Sequence, residues 1–284
     1  MVIGVDTIPH LGVTEEVIKE NNMTGKIQII NSKIEDLVLP DGLTEVDVIV
    51  SDWVGECLLH KSSLKDVILA RDKFLTPGGL MFPDTSCLYI TGVDDHLNQD
   101  AAISFWDHIY GFDMSAIASR IREEPQVVKL SPSQVMTNST LLKEIDLYSQ
   151  TITEEIDFLS PFQLNVLKKG YIRGFAIHFS IGFNHGVRRI KFSNSVDSGN
   201  DWKQTYLHLQ DYLLCHRGDE IFGVFNMKSE ENKLKIKFDL ELKVSELKIK
   251  NVTNLKFSST GRAQQSYQEQ QVCDDLKERR HQEN

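Results

Sequence analysis

Cysteine is scarce and scattered: Cys57, Cys87, Cys215 and Cys273 lie far apart in 284 residues, with no Cys-x-x-Cys pair and no His/Cys cluster at metal-ligand spacing. That pattern argues against a disulfide framework or a structural zinc site and points to a reduced, intracellular protein. No apolar run approaches the ~20 residues a membrane-crossing helix needs, so no membrane partner is expected. The opening residues lack the basic start and apolar core of a signal peptide. Positive charge is in deficit, with 31 Lys+Arg against 41 Asp+Glu and a net charge of -10. No general basic face is left for direct nucleic-acid binding, and an acidic surface suits a basic partner. No repeat recurs at solenoid periods.

What the chain does have is ordinary globular composition, 40% hydrophobic and 25% charged, at a length that accommodates two domains. Residues 2–5 are a β-branched run ending in Asp6, and residues 14–22 read as a helix. Residues 27–30 repeat the strand signal before a loop carrying Glu35 and Asp36, and Val46-Asp-Val-Ile-Val50 is a third apolar run, ending in Ser51-Asp52. Helical spacing over 62–74 stops at Thr76-Pro-Gly-Gly79, and a strand is expected over 86–93. Short apolar strands alternating with helices predict a parallel sheet. From about residue 140 the texture turns to alternating runs, which predict antiparallel strands in a sandwich or barrel. Beyond about 258 the sequence is polar and is expected to be disordered.

Ligands of parallel α/β sheets bind outside the carboxyl ends of the strands, which singles out Asp6, Glu35 and Ser51-Asp52-Trp53. Asp6 reads either as a ligand of ribose hydroxyls or as a solvated strand-end cap, and Glu35 either as a partner of an adenine amino group or as a surface carboxylate. Cys57 reads as a small packed residue or as a thiol near the site. His10, His60 and His208 show no ligand spacing.

The run Val46-Asp-Val-Ile-Val-Ser-Asp-Trp-Val-Gly-Glu-Cys-Leu-Leu-His-Lys-Ser62, followed by Ala70-Arg-Asp-Lys-Phe-Leu-Thr-Pro-Gly-Gly-Leu-Met-Phe-Pro-Asp84, resembles the protein arginine methyltransferases. Ile109-Tyr-Gly-Phe-Asp-Met-Ser115, Ser160-Pro-Phe162, Trp202-Lys-Gln-Thr205, Gln210-Asp-Tyr-Leu213 and Gly218-Asp-Glu-Ile-Phe-Gly223 continue the likeness in order over roughly residues 2–257, and it looks closest to the type I members. The resemblance implies an α/β then all-β chain. Residues 1–94 would be the C-terminal part of a Rossmann-like class I methyltransferase domain. Residues 95–257 would be a β-barrel domain with a helical dimerisation arm at about 100–127. It further implies S-adenosylmethionine as cofactor, contacted by Asp6, Ile34, Glu35 and Ser63, and a homo- or heterodimer. The implied substrate is an Arg/Gly-rich or histone-like basic protein, met in the cytoplasm or nucleus.

The same resemblance marks departures. Family members hold the substrate guanidinium between two glutamates, because a planar cation with five donors is best gripped by paired carboxylates. Asp52 stands at the first position, about 1.5 Å shorter in reach. Lys61 stands at the second, where a cation repels the guanidinium. Asp201, in Asn200-Asp201-Trp202, replaces a histidine of the active-site floor. An ion pair of Lys61 with Asp201 or Glu56 is expected in compensation. The first strand, glycine-rich turn and helix of the family are not found before residue 2, so impaired cofactor binding, exposed sheet edges and a natural start upstream of Met1 are expected. Two functions follow: an arginine methyltransferase, or a catalytically inactive relative that dimerises with and regulates an active one.

Overall fold

The computed structural model describes residues 1–7, 11–95, 106, 109–114, 125–151, 157–230, 233–244 and 247–256. Most of the expected arm at 100–127, and all of the expected disordered tail, fall outside these residues.

The first part is built from β1 (Val2–Asp6), α1 (Leu11–Glu20), β2 (Ile27–Asn31), β3 (Val46–Val50), α2 (Leu64–Phe74) and β4 (Leu75–Phe82). β1 runs parallel to β2, Val2 opposite Ile27 and Asp6 opposite Asn31, and β3 runs parallel to β4. The two pairs are separate two-stranded sheets. Val2, Val48 and Val50 stay 60%, 45% and 76% exposed, unusual for β-branched residues of a parallel sheet, whose faces are ordinarily covered. α2 buries Leu64, Val67 and Ile68, at i, i+3 and i+4, and ends with Arg71 and Lys73 at the negative end of its dipole. The strand after it starts at once, at Leu75, and runs through the Thr76-Pro-Gly-Gly79 stop. A register shift between Val46 and Val48 takes up the extra length, and Gly78 adopts a positive φ of 81°.

The second part holds β5 (Thr85–Val93), β6 (Gln126–Val128), β7 (Val135–Asp146), β8 (Phe158–Asn165), β9 (Gly170–Phe183), β10 (Ile190–Ser193), β11 (Gln204–Cys215), β12 (Glu220–Glu230), β13 (Lys233–Val244) and β14 (Leu247–Lys256). A six-stranded sheet runs β6-β11-β9-β5-β7, with β10 also on β9, and a four-stranded sheet runs β14-β13-β12-β8. They meet where Thr137 of β7 bridges Val166 just after β8. Among the described residues the strands do not close into a barrel. β5, expected in the first domain with a boundary at 94, pairs antiparallel with β7 and β9, so the parallel strands end at Phe82. Its alternation of side chains is the same in either kind of sheet, which is why the sequence does not show the partner.

One apolar core joins both parts. Trp53, Leu58, Ile68 and Met81 from the parallel side lie in the same cluster as Leu88, Ile145, Phe175, Leu207 and Phe225. Asp84, fully buried at the junction, accepts hydrogen bonds from the amides of Asn184 (2.6 Å) and His185 (2.8 Å) and from His185 Nδ1 (2.9 Å). Burial pushes this carboxyl upward, but the His185 and Asn184 donors outweigh it and hold it below the usual carboxylate range. Arg71 of α2 clasps the second part, donating to the carbonyls of Leu147 and Gln150.

His178 on β9 is buried with Nε2 at 3.1 Å from Thr91 Oγ1 and 3.3 Å from Ser139 Oγ, and its ring stacks on Tyr89. Burial pushes its pKa from 6.5 down to about 4. The imidazole is therefore neutral when folded while the unfolded chain takes up a proton near 6.5. Stability held above that pH is lost as pH falls toward about 4, by up to roughly 3 kcal/mol. His178→Phe, which leaves the 2.7 Å Thr91–Ser139 hydrogen bond in place, is expected to remove most of this dependence. Urea midpoints at about pH 7 and about pH 4.5 check it, with the depressed Asp84 common to both proteins.

Candidate functional site

The site loop spans residues 51–63, from the carboxyl end of β3 to the start of α2. Ser51 N–H donates to Phe82 O at 3.0 Å, extending the β3–β4 ladder by one residue. The chain then doubles back: Gly55 N–H donates to Leu58 O (2.9 Å), His60 N–H to Glu56 O (2.8 Å) and Ser63 N–H to Trp53 O (3.0 Å). The tip needs left-handed backbone at Cys57 (φ 50°) and Leu58 (φ 66°), as does Lys61 (φ 56°), each costing roughly 1–2 kcal/mol for a residue with a side chain. Burial offsets this. Trp53 and Leu58 are 0% exposed and Leu59 is 4% exposed, contributing about 1.5–3 kcal/mol apiece. The apolar tip is thereby fixed in the common core, while the charged positions flank it.

Asp52 and Lys61 are both solvent-exposed. Glu56 is half-buried and its Oε2 lies 3.8 Å from Nε2 of buried His60. Burial pushes the His60 pKa down, Glu56 opposes that, and Lys61 reinforces it. Cys57 is buried; burial pushes its thiol well above the ordinary range, Glu56 adds to that, and a hydrogen bond with Thr205 opposes it. It is a packed thiol rather than a nucleophile. The contact with Thr205 ties the loop tip to β11, a link across 148 positions that nothing in the sequence announces.

The expected ion pair of Lys61 with Asp201 or Glu56 is not formed. Lys61 points to solvent, Glu56 faces His60, and Asp201 pairs with Lys129. Asp201 is fully exposed; its hydrogen bond from Lys129 holds its carboxyl below the usual range. The position read as active-site floor is thus a surface carboxylate. An exposed lysine needs no buried counter-ion, because water already solvates it.

Asp6 ends β1, Ile34 and Glu35 lie in the turn after β2, and Ser63 precedes α2. Asp6 is exposed; its Oδ1 accepts Thr7 N–H at 2.6 Å, and its backbone carbonyl accepts Ser32 N–H at 3.2 Å. Lys73 of α2 donates to Ile34 O (3.0 Å) and Glu35 O (2.7 Å), fixing the β2 exit. Asp66 of α2 lies close enough to Glu35 that its carboxyl is pushed up, by burial first and Glu35 second. Ser63 is the N-cap residue of α2, its side chain making no cap hydrogen bond. Asp6 and Glu35 are both exposed carboxylates. With Lys73→Ala, amides 32–37 should exchange about five-fold faster, the loss of roughly 1 kcal/mol of hydrogen bonding. Hydrogen-exchange mass spectrometry reads this directly, and an unchanged rate would show that α2 does not hold the β2 exit.

Parallel β-α-β units continued by antiparallel sheets place the chain among α/β proteins carrying an added β domain. The comparisons narrow that class. A model of the arginine methyltransferase oligomerization subdomain matches residues 84–247. The chain is 38% identical over 246 residues to protein arginine N-methyltransferase 8-B of Danio rerio, covering 85% of this chain and 58% of that one. It is 37% identical over 245 residues to protein arginine N-methyltransferase 1 of Caenorhabditis elegans, covering 84% and 70%. Among solved structures, a Trypanosoma brucei PRMT1 enzyme-prozyme heterotetrameric complex with AdoHcy matches with TM-score 0.82 at 26% identity, over 90% of this chain and 81% of that one. Protein arginine methyltransferase 10 of Arabidopsis thaliana shares the fold, with TM-score 0.75 at 22% identity, over 90% and 82%. The chain belongs to the protein arginine methyltransferase family. It spans less than two thirds of the length of the Danio rerio relative.

Proposed function

We propose that this chain acts in protein arginine methylation as a family subunit whose own grip on the guanidinium is weak, and that it works by assembling with a catalytically complete family member. The observation that carries this is Lys61, exposed and unpaired among the described residues on the loop that bears Asp52. In an arginine site the loop must offer two carboxylates, which bind the planar cation bidentately and keep its nitrogen electron-rich. Here it offers Asp52 and, across the hairpin, an ammonium. Asp6, Ile34, Glu35 and Ser63 would hold S-adenosylmethionine, Asp6 at the ribose and Glu35 at the adenine. When bound, that cofactor supplies the sulfonium methyl.

Assembly is supported by the match to the oligomerization subdomain and by the exposed Tyr110 and Phe112, at 95% and 69% in the described part of the expected arm. The enzyme-prozyme likeness supports a heteromeric arrangement. The substrate read here is a basic, arginine-bearing protein, in keeping with the net charge of -10. A cytoplasmic or nuclear setting agrees with the three described cysteines, all free. A second reading, a methyltransferase active alone with altered specificity, draws support from Glu56, a further carboxylate on the same loop. Analytical ultracentrifugation of the full chain, alone and mixed with an active family member, tests the first reading: a new mixed species supports it, and two unchanged independent species refute it.

A further inference from the structure

Away from the site loop, the turn joining β9 to β10 brings positive charge and apolar surface together. Arg188, Arg189 and Lys191 place three cations within four residues of a chain whose net charge is -10. Both arginines are exposed, and among the described residues neither has an ion-pair partner. Lys191 lies over the Tyr89 ring at 5.8 Å and donates to its hydroxyl at 3.4 Å. Interleaved with the cations are exposed apolar side chains: Val187 at 105%, Ile190 at 48% and Phe192 at 50%. Phe192 meets Phe183 edge-on at 6.0 Å, Phe183 stacks on Phe82 at 6.2 Å, and Phe82 O accepts the amide of Ser51. The strip therefore begins two side chains from the site loop.

β10 also has an open backbone edge. Among the described residues it pairs with β9 alone. Asn194 N–H turns inward to Phe179 O, whereas Ser193 O turns outward and accepts Asn200 Nδ2. Because neighbouring residues of a strand alternate, Lys191 turns its N–H and C=O outward too, where no described strand meets them. An edge meant only to repel other strands carries charge and little else. This one combines charge with Ile190 and Phe192 on one face.

We infer that the β9–β10 hairpin is a docking strip for an extended acidic protein segment. The segment adds to β10 as a strand, sets carboxylates against Arg188 and Arg189, and lays apolar side chains on Ile190 and Phe192. Charge complementarity selects the acidic partner, and the unpaired peptide groups select a polypeptide over a nucleic acid, which has no N–H and C=O ladder to offer. A long polyanion would also meet the acidic remainder of the surface. The inference stands on the hairpin alone and does not depend on methyl transfer.

The test is fluorescence anisotropy of the full chain with a labelled peptide of about twelve residues alternating Glu with Val and Phe. Binding in the micromolar to sub-millimolar range is expected. It should weaken about ten-fold between about 50 and about 300 mM salt. Arg188→Glu/Arg189→Glu should weaken it at least about ten-fold, both positions being exposed. Two further measurements leave the protein unaltered: N-methylating alternate peptide amides should abolish binding, and replacing Glu by Gln should weaken it about ten-fold. No binding, equal binding of the Gln peptide, indifference to N-methylation, or tighter binding of a single-stranded oligonucleotide would each overturn the proposal.

Discussion

Lys61→Glu will raise the affinity of this chain for an arginine-bearing peptide by about thirty-fold. The charge at position 61 changes from repelling a guanidinium to attracting it. At 4 to 6 Å and an effective dielectric near 20, each sign is worth about 3 kcal/mol. Lys61 is exposed, however, so solvent and salt reduce each to about 1 kcal/mol. The reversal then totals about 2 kcal/mol, or about thirty-fold. Its backbone lies at φ 56°, equally uncomfortable for Lys and Glu, so the substitution changes charge with little change in strain. Anisotropy with an Arg/Gly-rich peptide measures the gain, and adding Asp52→Asn should remove most of it. A gain that survives Asp52→Asn would mean that the two positions do not act on one cation. No gain at all would place the guanidinium site elsewhere.

Gly55→Ala should be the most damaging single change in the loop. A Cβ there would stand 2.0 Å from His60 O, 2.9 Å from His60 C and 2.8 Å from Ser62 N. All three are backbone atoms, so no rotamer change relieves the clash. The two arms of the hairpin must part, and with them the Gly55–Leu58 and Glu56–His60 hydrogen bonds. The buried Leu58 and Leu59 would be drawn out of the core they share with β11 and β12. Forced overpacking of this kind costs typically 1–3 kcal/mol, and the backbone origin puts it at the upper end, about 3 kcal/mol. For a chain of this size that is roughly 5 °C in Tm. Cys57 gives a local readout: buried with its thiol pushed far up, it should resist maleimide in the native chain and label readily in the variant. Mass spectrometry distinguishes its labelling from that of the other cysteines.

How much of this was legible beforehand varies with the range of the interaction. Strands β2 and β3 could be read from short β-branched runs, and α2 from the spacing of Leu64, Val67 and Ile68, because local propensity and burial agree there. The assignment of Thr85–Val93 to one sheet or the other could not, since strand pairing is a long-range choice. The same holds within the site. Asp52 and Lys61 are close in sequence and their opposition follows from the motif. The partner of Asp201 is Lys129, 72 residues away, and the anchor of Cys57 is Thr205. Lys61 was expected to seek an internal counter-ion, but an exposed ammonium is already satisfied by water. The left-handed tip at Cys57 and Leu58 carries no glycine and so gave no turn signal; it persists because both side chains are buried.

β1–β2 and β3–β4 are separate two-stranded sheets, and Val48 and Val50 are uncovered. Asp6 ends β1, and Glu35 lies in the turn beyond β2. On the site loop, Asp52 and Lys61 are one acid and one base, both exposed.

We propose that this subunit does not methylate by itself and acts through a complete relative. It is tested most directly by incubating the purified full chain with radiolabelled S-adenosylmethionine and an Arg/Gly-rich peptide, with and without an active family member. Background incorporation by the chain alone is expected and, in the mixture, a rate or product distribution different from that of the active member by itself. Robust incorporation by the chain alone, or a mixture that behaves as the active member does without it, would contradict the account.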